Sequence, residues 1–112
     1  MKRGYVFAAT LVAAVSSSTA LAADPKIVTY YEETCGACHG EKGLGIPMLA
    51  PPLKGSAFVT KGSAAEIGEV ITKGRTVEQK KYKDFPSPMP AHSMGDARLA
   101  GVIDYIKKDL QK

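Results

Sequence analysis

The amino-acid sequence predicts an all-α protein with three or more helices connected by long loops. Three segments carry apolar residues at intervals of three and four positions, and each begins with residues that favour a helix N-terminus. No segment alternates apolar and polar residues over the length of a half-buried strand. The connecting segments are rich in glycine and proline, which interrupt both helices and strands. These patterns indicate short helices and loops packed as a single small domain.

Residues 1–22 have the features of a secretory signal peptide. Two basic residues precede an apolar run over residues 5–15, and the small residues Ala20 and Ala22 mark a cleavage site. The apolar run is shorter than the roughly 20 residues that a membrane-spanning helix needs. We therefore expect cleavage after Ala22, export to the periplasm, and no membrane span in the mature protein.

The expected mature protein is one domain, residues 23–112, that needs help to form a core. Cleavage of the 112-residue chain after Ala22 leaves 90 residues, and domains of this size often depend on disulfides, a metal or a cofactor. The chain has 15 Lys and Arg and 11 Asp and Glu, and removal of Lys2 and Arg3 leaves 13 against 11. This near balance, together with export, argues against nucleic acid as a partner.

The first predicted helix begins at Asp24-Pro25 and runs to a cysteine motif. Aspartate is a favourable N-cap, and proline is tolerated in the first turn because its missing N–H would have no intrahelical acceptor there. Residues that suit a buried face recur at i, i+3, i+4 and i+7. They predict one stripe that ends beside the first cysteine, formed by Ile27, Tyr30, Tyr31 and Thr34.

Both cysteines of the chain lie in the motif Cys35-Gly36-Ala37-Cys38-His39, whose spacing is typical of covalent haem attachment. Two thiols three positions apart project from the same side of a helical turn and can add to the two vinyl groups of one porphyrin edge. The histidine that follows can then ligate the iron. We therefore predict one haem c, attached through Cys35 and Cys38 and ligated by His39.

Three other uses of the two cysteines remain open at this point. A structural disulfide would suit an oxidising compartment, but it would close a very short loop and leave His39 without a role. A thioredoxin-like redox pair would need a βαβ context, of which the sequence shows no sign. A zinc site would have to combine Cys35 and Cys38 with His39 and His92 at an unusual spacing.

A loop and a second helix follow the cysteine motif. Residues 40–47 contain three glycines and a proline, which predicts a loop. The second helix is predicted to begin at the capping box Ser63-Ala64-Ala65-Glu66 and to end at Gly74 as its C-cap. One face of this helix carries the apolar residues Ile67, Val70 and Ile71.

Haem iron in most electron carriers has a second axial ligand, and four side chains are candidates for it: Met48, Met89, His92 and Met94. Met48 follows the motif histidine by nine residues, so the chain would have to pass around the porphyrin edge to reach the opposite face. Met89 lies between two prolines, which restrict the backbone and would hold its side chain rigidly. Met94 is expected in the first turn of the last helix. We therefore predict Met89 as the second ligand, and the other three candidates and an open position remain alternatives.

The last predicted helix begins at Ser93, with Asp96 three positions later, and continues to the C-terminus. Its apolar stripe is the longest in the chain and makes this the clearest helix of the sequence. The stripe consists of Leu99, Val102, Ile103, Ile106 and Leu110.

These motifs resemble those of the class I c-type cytochromes, in particular the small mono-haem cytochromes of the bacterial periplasm. The resemblance covers nearly all of residues 23–112. It rests on the cysteine motif and its helix, and on the segments Pro51-Pro52-Leu53-Lys54-Gly55, Pro88-Met89-Pro90 and Asp104-Tyr105-Ile106. It implies the cytochrome c fold around one covalently bound haem, with Met89 in the position of the family's axial methionine.

The resemblance also implies roles for residues outside the cysteine motif. Pro51, twelve positions after His39, is expected to accept a hydrogen bond from the imidazole through its backbone carbonyl. Tyr31 and Tyr105 are expected to make aromatic contacts between the first and last helices. Ile27 departs from the family pattern, because many relatives have a glycine there that lets the two helices approach closely. A wider or shifted crossing is therefore expected.

The expected function is that of a soluble, monomeric one-electron carrier that cycles between ferrous and ferric haem. Two axial ligands leave no open position on the iron, so we do not expect an enzyme. The expected partners are redox proteins, namely a dehydrogenase, an oxidase or another cytochrome, which Lys80, Lys81 and Lys83 could attract by charge. The alternatives are a haem c electron-transfer subunit of a dehydrogenase or oxidase complex, and a haem-based sensor of small ligands.

Overall fold

The computed structural model describes residues 4, 9, 10, 12, 23–79 and 84–112. The predicted signal peptide therefore lies almost entirely outside the described residues, and so do Lys80, Lys81 and Lys83. The described residues form helices and loops without a strand, and β-type pairing among them is limited to two isolated bridges. No helix in this part of the chain has the length and apolar character needed to cross a bilayer. The predicted all-α fold class is confirmed.

A continuous helical segment leads from Asp24 into the cysteine motif, as predicted. It consists of α1 (Pro25–Tyr30), a π-helical turn (Tyr31–Cys35) and α2 (Gly36–His39). Asp24 is the N-cap, and its carboxylate accepts a hydrogen bond from Lys26 N at 2.9 Å. The sequence does not predict the π-helical turn. Such turns are rare and are frequently found at functional sites.

Two helices follow the long loop after the cysteine motif, α3 (Ala57–Lys61) and α4 (Ala64–Lys73). The sequence does not predict α3, because five residues are too few for an apolar period to be recognised. α4 matches the predicted second helix. Its N-cap Ser63 accepts a hydrogen bond from Glu66 N at 3.1 Å, and its C-cap Gly74 has a φ of 68°.

The last helix, α5 (Asp96–Lys107), is followed by a 3₁₀ turn (Asp109–Gln111). The prediction that this helix begins at Ser93 is wrong. Its N-cap is Gly95, which has no side chain to accept a hydrogen bond from the first turn, so the true start lacks the side-chain capping signal that Ser93 offers. Met94 therefore precedes the helix and does not lie in its first turn.

The hydrophobic core forms where α5 packs against α4 and against the first helical segment. The predicted stripe of the last helix points into this core. Val102, Ile103 and Ile106 of α5 and Leu110 of the 3₁₀ turn are each at most 7% exposed, and Leu99 packs against them. The predicted stripe of α4 is also buried or half-buried. The buried cluster as a whole consists of Tyr31, Val59, Ile67, Ile71, Val102, Ile103, Ile106 and Leu110.

The first and last helices pack against each other through Ile27 and Gly101. A Cβ atom on Gly101 would lie 2.8 Å from Ile27 Cδ1, so the missing side chain on α5 makes room for the isoleucine. Where the family pattern has a glycine on the first helix, this chain has Ile27, and the glycine at the crossing is Gly101 on the last helix. The Tyr31 and Tyr105 rings also meet, with centroids 5.2 Å apart and planes tilted by 56°. This is the aromatic contact that the family resemblance implies.

Candidate functional site

An apolar cavity lies between the cysteine helix, the loop after it, α4 and the segment before α5. Its walls include aliphatic core residues and loop prolines, among them Val59, Ile67, Ile71, Ile106, Pro51, Pro52 and Pro88. Cys35, Cys38, His39 and Met89 all border the same cavity. The fold therefore brings together the four side chains that the sequence predicts to hold a haem.

The imidazole of His39 is oriented by the loop that carries Pro51. Its Nδ1 lies 2.7 Å from Pro51 O, and because a carbonyl oxygen only accepts hydrogen bonds, Nδ1–H must be the donor. Burial lowers the pKa of His39, the hydrogen bond to Pro51 opposes this shift, and the nearby His92 adds to it. The ring is therefore neutral at neutral pH, with the lone pair of Nε2 available to a metal ion.

Backbone hydrogen bonds fold the Pro51 loop back onto the cysteine helix. Gly45 N donates to His39 O at 2.7 Å, and Leu53 N donates to Gly43 O at 2.8 Å. The first bond ties the loop before Pro51 to the last residue of the helix, and the second ties the residue two positions after Pro51 to the start of the same loop. The carbonyl that orients His39 is therefore held in place by the backbone of the loop.

We expect Gly45→Ala to displace Pro51 and destabilise the haem-loaded protein. Gly45 has a φ of 78°, and a Cβ atom there would lie 2.7 Å from Pro52 N and 3.0 Å from the carbonyl carbon of Pro51. The left-handed backbone should cost about 1–2 kcal/mol in the free energy of unfolding. The clash should add about 1–3 kcal/mol, and denaturant unfolding measures both.

Gly55→Ala is the matched control for this substitution. Gly55 has nearly the same backbone conformation, with a φ of 75°, but nothing lies within 4 Å of the position of its Cβ. Gly55→Ala should therefore lower the free energy of unfolding only by the cost of the left-handed backbone. An equal loss of stability in Gly45→Ala and Gly55→Ala would mean that the Pro51 loop moves aside freely.

The thiol of Cys35 lies in a setting that suppresses its ionisation. Both cysteines are half-buried, and burial, together with the neighbouring Cys38, raises the pKa of Cys35 to about 11. A redox-active cysteine pair instead needs a lowered pKa, because the thiolate is the reactive form. No three His, Cys, Asp or Glu side chains gather as metal ligands within the described ranges. These features give no support to the thioredoxin-like and zinc alternatives.

The segment that carries Met89 is fixed to the end of α4 by its backbone. Arg75 N donates to Met89 O at 2.9 Å, and Met89 N donates to Arg75 O at 3.0 Å. His92 N donates to Ile71 O at 2.9 Å, which satisfies a carbonyl that the last turn of the helix leaves free. The prolines predict the stiffness of this segment, but no local signal in the sequence reveals its anchor at Arg75.

The cavity separates the four candidates for the second axial ligand into two pairs. Met89 and His92 border the cavity. Neither Met48, which is 69% exposed, nor Met94 belongs to the cavity wall. The thioether of Met89 and the imidazole of His92 therefore remain as candidates for the second axial ligand.

The donor set of the cavity fits a covalently attached haem. Two thiols three positions apart stand beside a neutral imidazole whose Nδ1 is already hydrogen-bonded to Pro51 O. A thioether lies on the same cavity wall. The remaining wall is mostly aliphatic and aromatic, as the apolar faces of a porphyrin require.

In comparisons with known proteins, residues 22–106 match a family described as cytochrome c oxidase, cbb3-type, subunit III. The Cbb3-type cytochrome c oxidase subunit CcoP of Azospirillum brasilense is 40% identical over 96 residues, which cover 80% of this chain and 29% of that protein. The cytochrome c subunit of alcohol dehydrogenase (quinone) of Gluconacetobacter polyoxogenes is 27% identical over 85 residues, 74% of this chain and 18% of that protein. The chain thus spans less than a third of the length of either relative.

Proposed function

Because this chain belongs to the family of cbb3-type cytochrome c oxidase subunit III, a class I c-type cytochrome domain with covalently bound haem c, we propose that residues 23–112 form a soluble electron carrier. Electron transfer is the function of such domains. We propose that this one is a monomer that shuttles single electrons between redox proteins of the periplasm. The cleavable signal pattern of residues 1–22 supports this location.

The proposed haem site uses five residues. Cys35 and Cys38 attach the haem, His39 and Met89 ligate the iron, and Pro51 orients His39 through its carbonyl. When bound, haem supplies an iron that alternates between the ferrous and ferric states. The observation that supports this assignment most directly is the hydrogen bond from His39 to Pro51 at the edge of the cavity that Met89 also borders.

The residues around the iron favour a carrier of relatively high reduction potential. A histidine and a methionine as axial ligands raise the potential of haem iron compared with two histidines. The apolar wall disfavours the additional positive charge of the ferric state. Because both axial positions are filled by protein side chains, this site is suited to electron exchange and offers no position for a substrate.

A second candidate function is that of a haem c domain within a larger enzyme complex. The relatives are named as subunits of an oxidase and of a dehydrogenase, and this chain matches only 29% and 18% of their lengths. A domain of this family can thus be one part of a larger enzyme. The small residues at the end of the signal pattern favour the free carrier, because they predict removal of the apolar segment.

Expression of the full chain in a bacterium that matures c-type cytochromes tests these two functions. We expect a haem-stained protein that begins at Ala23, is released from the periplasm without detergent, and exchanges electrons with a soluble redox protein. The matched control lacks residues 1–22 and should stay in the cytoplasm without haem. Recovery only from membranes, or only together with a larger oxidase or dehydrogenase, would contradict the free carrier and favour the subunit.

A further inference from the structure

Arg75 places a charged group in the wall of the apolar cavity. It is the only Lys, Arg, Asp or Glu among the described residues that line it. Arg75 is half-buried, and none of the salt bridges between described residues includes it. A cation in such surroundings is stabilised by an opposite charge, and a large desolvation cost remains without one.

The guanidinium of Arg75 has an aromatic neighbour on the same wall. Its central carbon lies 4.9 Å from the ring centroid of Phe58, which also lines the cavity. Stacking on a phenylalanine contributes roughly 0.5–2 kcal/mol and leaves the N–H groups at the edge of the guanidinium free for other acceptors. The ring therefore orients the cation without neutralising it.

The backbone of Arg75 holds the residue at a fixed point beside Met89. The two hydrogen bonds between Arg75 and Met89 join their backbones directly, and Gly74 before it ends α4. The same hydrogen bonds that hold the methionine segment therefore fix the backbone position from which the Arg75 side chain extends. These bonds use only backbone atoms, so they do not depend on the side chain at position 75.

The missing counter-charge can be supplied by the cofactor itself. Haem carries two propionate groups, which are carboxylates at neutral pH, and the planar guanidinium of arginine pairs with carboxylates through two parallel hydrogen bonds. We propose that Arg75 is the positioning residue that pairs with a haem propionate and raises the reduction potential of the iron. This inference rests on the proposed haem site.

The proposed pair has a defined electrostatic effect. An unpaired propionate carries a negative charge close to the iron and stabilises the ferric state. The guanidinium offsets this charge, so its removal should shift the equilibrium towards ferric iron. Lysine keeps the charge but lacks the planar guanidinium that binds a carboxylate through two hydrogen bonds. Arg75→Lys should therefore retain only part of the effect on the reduction potential.

Redox titration of the purified haem protein tests the proposal with Arg75→Gln, Arg75→Met and Arg75→Lys. At a fixed ambient potential we expect the ratio of ferrous to ferric protein to fall about tenfold in the two neutral variants, a shift of about 59 mV for one electron. Arg75→Lys should lie between them and the unmodified protein. The iron–sulfur charge-transfer band should persist in all three, because the backbone bonds to Met89 remain.

Arg98→Gln is the matched control. Its guanidinium also lies 4.9 Å from an aromatic centroid, that of Tyr30, but Arg98 does not line the cavity. Its removal should leave the potential unchanged. An equal shift in Arg98→Gln would show a general effect of net charge and would overturn the proposal.

The remaining outcomes are also decisive. Unchanged potentials in Arg75→Gln and Arg75→Met would overturn the proposal, and so would a slower reaction with a partner protein at unchanged potential, which would make Arg75 a docking residue. Loss of haem from both neutral variants but not from Arg75→Lys would support a charge pair, and loss from all three would contradict it. Absence of covalent haem from the unmodified protein would instead overturn the proposed function.

Discussion

Met89→Ala should abolish the iron–sulfur charge-transfer band of the oxidised protein and allow the reduced protein to bind carbon monoxide at neutral pH. The thioether of Met89 borders the cavity on a segment that backbone hydrogen bonds hold to Arg75. Alanine removes the sulfur but preserves these bonds, so the iron should lose its sixth ligand without collapse of the segment. Visible absorption spectra with and without carbon monoxide measure both effects, and the reduction potential should fall.

Met48→Ala and Met94→Ala are the controls for this experiment. Met48 and Met94 do not line the cavity, so both variants should keep the band. Persistence of the band in Met89→Ala would assign the ligand to one of these two methionines. Ready binding of carbon monoxide by the unmodified protein would favour the small-ligand sensor over the carrier.

His92 provides a second check on the same cavity wall. It is the other candidate ligand that borders the cavity, and its imidazole could replace the thioether in Met89→Ala. In that case the band would disappear but carbon monoxide would still be excluded. The double variant Met89→Ala/His92→Ala should then bind carbon monoxide. This result would show that His92 had replaced Met89 as the ligand, and not that the cavity itself excludes carbon monoxide.

Cys35→Ala/Cys38→Ala, produced without haem, should be largely unfolded. Val59, Ile67, Ile71 and Ile106 belong to both the core and the cavity wall, so the core is incomplete on the side where the haem would pack. Burial of an aliphatic side chain contributes about 1.5–3 kcal/mol. Partial loss of packing around four of them is therefore comparable to the total stability of about 5–15 kcal/mol of a typical domain.

Circular dichroism and thermal unfolding of the purified variant measure this dependence on the cofactor. The haem-loaded unmodified protein should show a cooperative transition, and the haem-free double variant should show little helix and no such transition. The single variant Cys38→Ala, which keeps one thioether, is the matched control and should retain most of the helix content. A cooperative transition in the haem-free double variant would contradict a core built around the cofactor.

Local signals in the sequence predict the helices whose ends are capped by side chains. Asp24 and Ser63 accept hydrogen bonds from backbone N–H groups as predicted, because N-caps act within a single turn. The start of the last helix is predicted too early, because Gly95 caps it without a side chain. The π-helical turn and the five-residue α3 leave no local pattern, since packing and not helix propensity determines such short elements.

The sequence by itself predicted the chemistry of attachment, because the proposed roles of Cys35, Cys38 and His39 depend only on their spacing along one helical turn. The family resemblance added the hydrogen bond between His39 and Pro51, which the structure contains. Only the tertiary structure decided which residues from different helices and loops contact each other. The Arg75 anchor of Met89 and the packing of Ile27 against Gly101 join elements far apart in the chain. Such contacts depend on how all the helices pack, and no short segment of sequence encodes them.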